Sequence, residues 1–173
     1  MADPSLYDAV RIPSEFLLAL DNRVYHFALQ PYHFIVRLVH VMTMGAFLGG
    51  IVILDLQLIG MKPKLSLRIL ADFILPYLYV SFGIAMVTGA MLFFYDPLHV
   101  GAHAYFVPKV ILIVVGIANA AFFNGRSLRK GRHISESSAL LSKAAGAVSL
   151  AVWAGVVGFA CMNVEGIPKV YLQ

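Results

Sequence analysis

Residues 34–60 read FIVRLVHVMTMGAFLGGIVILDLQLIG, and the fold turns on this stretch. Its only charged side chains are Arg37 near the start and Asp55 near the end. The run exceeds the ~20 residues that an α-helix needs to cross a hydrocarbon core at ~1.5 Å per residue. Three more apolar stretches follow at 70–95, 104–124 and 139–163, and the four use most of the 173 residues. Short connectors make consecutive helices antiparallel neighbours. The expected fold is therefore all-α: an integral membrane four-helix up-down-up-down bundle, preceded by an amphipathic interfacial helix.

Composition agrees. Hydrophobic residues make up 60% and charged residues 13%, with a mean hydropathy of +0.82, whereas soluble domains carry roughly 25% charged residues. The basic balance does not point to nucleic acid, because Lys and Arg cluster in two connectors and not in a patch interleaved with aromatics. One connector has Lys62, Lys64 and Arg68, and the other Arg126, Arg129, Lys130, Arg132 and Lys143. Positive connectors stay cytoplasmic. That assigns the arm at 1–32 and the tail at 164–173 to the periplasmic side of a bacterial inner membrane, with residues 33–163 as the transmembrane domain.

The arm has no basic n-region of a cleaved signal, so it is expected to be retained. Ile12, Phe16, Leu17, Leu20, Val24 and Phe27 recur at helical spacing, which predicts an amphipathic helix lying on the membrane surface. Cys161 is the single cysteine, which excludes an intrachain disulfide. Gly45 with Gly49, Ala151 with Gly155 and Ala154 with Gly158 form small-xxx-small pairs expected to mark helix contacts.

Polar groups at membrane depth are costly and carry any chemistry the chain has. His33, Arg37, His40 and Met44 follow at intervals of four, three and four, which aligns them on one helical face. The up-down order places His99, His103 and Lys109 at the same end. Two imidazoles ligate haem b and a cation offsets a propionate, so His40 with His103 is the expected axial pair, His33 with His103 the better match in depth, and Arg37 and Lys109 the compensating cations. Copper is the runner-up cofactor, held by His33, His40, His99 and His103 with the soft sulfur of Met162 or Cys161. The plain alternative is a cofactor-free polar rim, with His40 hydrogen-bonded across the bundle. Asp55 and Asn119 form a second polar set near the opposite end, read as a structural pair.

Phosphate loop, nucleophile elbow and zinc-protease motifs are absent, so catalysis by the chain alone is not expected. Tyr77, Tyr79, Tyr95, Tyr105 and Trp153 suit the wall of a quinone-sized cleft, and equally suit membrane interfaces and helix packing.

The segments Leu38-Val39-His40, Leu48-Gly49-Gly50, Asp55-Leu56-Gln57-Leu58-Ile59-Gly60 and Thr88-Gly89, with Leu92-Phe93, Lys109, Asn119, Ser149-Leu150 and Trp153, resemble a family of small bacterial four-helix integral membrane proteins. The likeness covers 34–162. More distantly the chain resembles four-helix cytochrome b and copper-resistance membrane proteins. The resemblance implies a bundle with a histidine in its first helix that is tied in some members to haem or copper, and only His40 carries over. The expected role is a small membrane subunit of a respiratory or redox complex, anchoring it and passing electrons through haem b between a periplasmic donor and quinone. The alternatives are a cofactor-free accessory subunit of a larger membrane complex and periplasmic copper handling.

Overall fold

A computed structural model describes residues 11–61, 66–123 and 136–165. Lys62, Lys64, the basic run at 126–132, residues 1–10 and the tail beyond 165 lie outside the described residues. Seven α-helices make up the described chain: α1 (Ser14–Leu20), α2 (Arg23–Leu29), α3 (His33–Ile59), α4 (Leu67–Tyr95), α5 (Pro97–Gly101), α6 (Phe106–Phe123) and α7 (Glu136–Glu165). A single 3-10 turn at Gln30–Tyr32 joins α2 to α3. Parts of α3, α4 and α7 are long and apolar enough to cross a membrane, while Phe106–Phe122 of α6 is a shorter apolar helix. At ~1.5 Å per residue, the 18 residues of α6 fall just short of a ~30 Å hydrocarbon core.

Local sequence sets the boundaries. Gly60, at φ 97°, ends α3 in the left-handed conformation. Its N–H donates to Gln57 O at 3.0 Å, and Met61 N–H donates to Leu56 O at 3.1 Å, the paired bonds of a Schellman motif. Asp96 starts α5 by accepting from His99 N–H at 3.0 Å, with Pro97 in the first turn. The arm is two short helices where one was expected. Asn22 interrupts it, its side chain accepting from Val24 N–H at 3.0 Å and Tyr25 N–H at 3.4 Å, so a new helix begins where the apolar spacing alone reads straight through.

Helix α3 packs on α4 and α7, and α7 packs on α6. Matching residues fix the directions. His40 meets Ala85 and Thr88, whereas Gly50 meets Leu78 and Ile74, so α3 and α4 run antiparallel. Phe47 meets Trp153 and Asp55 meets Gly146, so α7 opposes α3; Leu112 meets Gly155 and Asn119 meets Ala145, so α7 also opposes α6. The spatial order is α4–α3–α7–α6. Consecutive long helices are therefore not always neighbours: α4 and α6 meet at the arm end, where Phe93 stacks on Phe106, and face each other across a cleft farther along.

Phe47, Ile51, Leu54, Ala71, Leu78, Trp153 and Val156 form the buried core. Within it the Phe47 and Trp153 rings meet edge-on at 4.6 Å, with Phe82 5.1 Å from Phe47, the arrangement that aromatic quadrupoles favour. Of the glycines in the small-xxx-small pairs, Gly155 meets a close neighbour, a Cβ there lying 2.8 Å from Leu112; the other close approaches come from glycines outside those pairs. A Cβ on Gly50 would lie 2.8 Å from Leu78, and one on Gly116 2.9 Å from Trp153, whereas Gly45, Gly49 and Gly158 face open space. The outward faces are apolar, with Phe34, Leu38, Met42, Phe73, Val87 and Val114 all exposed. Such a surface is compatible with a lipid bilayer around the helices and would be an aggregation hazard in water.

Candidate functional site

Histidines gather at the arm end. His26 Nδ1–H donates to Tyr95 O at 2.9 Å, and the His26 ring stacks on the Tyr95 ring at 4.4 Å. His33 stacks on Tyr95 at 5.2 Å, while its Nδ1–H donates to Gln30 O at 2.9 Å. Tyr95 is thus shared by two imidazoles, one from α2 and one from α3. The arm is fixed here by Leu17, fully buried against Gly101 of α5, and by Tyr25 O–H donating to Met91 O at 3.4 Å.

His40 lies deeper on the same side of α3. Its Nδ1–H points to Ala85 O at 2.9 Å and Thr88 Oγ1 at 3.1 Å, and its ring packs over Gly89, where a Cβ would come 2.9 Å from Cε1. A carbonyl can only accept, so Nδ1 carries the proton and Nε2 keeps its lone pair in the neutral ring. The ring therefore clasps α3 to α4 and retains one nitrogen capable of ligation.

The other residues expected in the site make contacts of their own, although the Lys109 charge reaches His40. His99 and His103 meet each other edge-on at 5.4 Å. Lys109 places Nζ 5.1 Å from the Phe106 ring centroid, a cation–π geometry. Arg37, Cys161 and Met162 are exposed. Among the described residues, no three His, Cys, Asp or Glu side chains converge to hold a metal ion.

A second site lies toward the opposite end. All four long helices line a cavity of about 370 Å³ between α4 and α6. Its floor includes Asp55 at 2% exposure, Ser149 and Trp153, and its mouth includes the exposed Tyr79, Ile117 and Ala120. The Ser149 hydroxyl donates to the Asp55 carboxylate, while Asp55 Oδ2 has no hydrogen-bond partner. Asn119 also borders the cavity, but its Nδ2 donates to Ala145 O at 3.2 Å, tying α6 to α7. Asp55 and Asn119 thus share a wall without bonding to each other. Sequence reasoning missed Ser149 as the partner of Asp55. The available signal was a hydroxyl four residues before the only tryptophan in an otherwise apolar span.

No protein-family model matches the chain, and no curated protein or solved structure does either.

Proposed function

We propose that the chain is a four-span protein of a bacterial inner membrane, with both termini periplasmic, that serves as a small anchoring subunit of a respiratory or other redox complex. The observation that carries this reading is the clamped arm. Leu17, Tyr25 and His26 hold α1 and α2 against one end of the long helices, while Phe16, Leu18, Val24 and Phe27 remain exposed. A rigid apolar ledge at the membrane surface suits either lipid or a partner subunit, and its attachment at three points gives a partner a fixed platform.

Haem b is the cofactor supported by one specific observation. His40 directs Nδ1–H to Ala85 O and keeps Nε2 for a metal, the backbone-oriented arrangement found in ligating histidines. Bound haem would supply one-electron transfer; His40 would hold and orient it, and Lys109 would offset propionate charge. His103 makes its ring contact with His99, so His40 is the histidine whose hydrogen bonding supports holding the group. A cofactor-free accessory subunit is the second reading, favoured by the contacts that already satisfy His40 within the fold.

The test is a reduced-minus-oxidised visible spectrum of gently purified full-length protein, with haem and copper quantified on the same sample. A b-type signal lost in His40→Ala supports the haem reading. Folded, cofactor-free protein that co-purifies with a membrane complex supports anchoring without haem. Cofactor-free protein that purifies alone under the mildest extraction would sink the subunit proposal.

A further inference from the structure

The α4–α6 cleft contains a buried acceptor with nothing to accept from. Two buried side-chain oxygens among the described residues lack a hydrogen-bond partner, Asp55 Oδ2 and Asn163 Oδ1, and only Asp55 borders the cavity. An unpaired buried oxygen of a carboxylate is expensive. At about 370 Å³ the space is within the range of small-molecule sites. Apart from Asp55, Asn119 and Ser149, most of its lining is aliphatic or aromatic, a poor environment for a cluster of waters.

Position narrows the occupant. Asp55 is four residues before Ile59, the last residue of α3, or ~6 Å along the helix axis. In a helix of 27 residues, ~40 Å long against a ~30 Å hydrocarbon core, that level is the boundary between acyl chains and headgroups. The mouth at Tyr79, Ile117 and Ala120 opens sideways between two helices, so a molecule dissolved in the bilayer can reach Asp55 without leaving it. Among the described residues no Lys or Arg lines the cavity, which disfavours carboxylate and phosphate heads beside Asp55. An ammonium head would have to shed its hydration together with the carboxylate, and two buried charges do not reliably recover that cost. A neutral hydroxyl loses far less, and Ser149 shows that Asp55 already takes a hydroxyl as its partner.

We propose that this cleft is a bilayer-accessible binding site for a neutral amphiphile, whose hydroxyl head donates to Asp55 Oδ2 and whose apolar body lies along Leu75, Leu78 and Phe82. The site uses no residue of the histidine layer and does not depend on the haem reading.

Trp153 supplies the readout, being the only tryptophan of the chain, 4% exposed and part of the cleft wall. Full-length protein in lipid nanodiscs is titrated with three bromoalkyl amphiphiles of identical tail bearing an alcohol, a carboxylate or an ammonium head, and contact quenching of Trp153 is followed. The alcohol should quench saturably, with the carboxylate about tenfold weaker. Asp55→Leu should weaken the alcohol by about ten- to a hundredfold, the loss expected from one hydrogen bond to a charged group. Ala120→Phe, at an exposed position on the mouth, should reduce quenching by every probe while leaving circular dichroism and thermal unfolding unchanged. The proposal fails if the carboxylate binds as well as the alcohol or the ammonium binds better. It also fails if no probe quenches saturably, or if Asp55→Leu or Ala120→Phe leaves alcohol binding intact. Should Asp55→Leu not fold, Ala120→Phe decides alone.

Discussion

His40 shows how one side chain can join two helices and still keep a ring nitrogen free of that contact. Its bond to Ala85 O joins two long helices, and its ring fits because residue 89 has no Cβ. Interhelical hydrogen bonds in membranes contribute about 0.6 to 1.7 kcal/mol, so His40→Ala should lower stability by that order. Gly89→Val should cost about 1 to 3 kcal/mol by overpacking. Because the ring is what the new side chain meets, the double variant should recover part of the loss in detergent unfolding; strictly additive costs would show that the two positions do not share this contact. Helical spacing puts His33, Arg37, His40 and Met44 toward one side of α3, since a period of 3.6 fixes which residues share a face. It could not show that Tyr95 stacks between His26 and His33 or that His103 turns to His99, because those contacts depend on where the connector after α4 folds back.

Among the elements, the apolar runs are legible because length and hydropathy together define a spanning helix. The arm is not, because Asn22 acts through one side-chain oxygen that an apolar period does not register. Asn22→Ala should destabilise α2 by about 1 kcal/mol, seen as faster amide exchange across Arg23–Leu29 with unchanged exchange in α3. Equal exchange in both proteins would mean that the docking of His26 and Tyr25, and not the cap, holds the helix. Packing glycines were legible only in part, for a related reason: Gly155 packs on Leu112, whereas Gly45, Gly49 and Gly158 face open space. Small-xxx-small spacing marks where close approach is possible, and only the partner helix determines whether Gly45 or Gly50 receives it.

At the scale of the whole molecule, the antiparallel order places the arm at one end and the Gly60–Lys143 contact at the other. If positive connectors remain in the cytoplasm, reporters fused within 62–68 should behave as cytoplasmic and those within 98–103 as periplasmic; the reverse pattern would invert the proposed anchoring surface. The cleft was the least legible feature of all. Each of its walls reads as ordinary apolar helix, and the cavity exists because α4 packs on α3 and α6 on α7, which leaves a cleft between α4 and α6.

That same order bears on how the chain is made. Helices α3 and α4 form one hairpin and α6 and α7 another, and between the hairpins the main seam is α3 against α7. The first hairpin leaves the ribosome ahead of the second, and its His40 clasp draws on α3 and α4 alone. Biogenesis then reduces to two self-contained insertions followed by one lateral docking event, in which Trp153 arrives last and seats against Phe47.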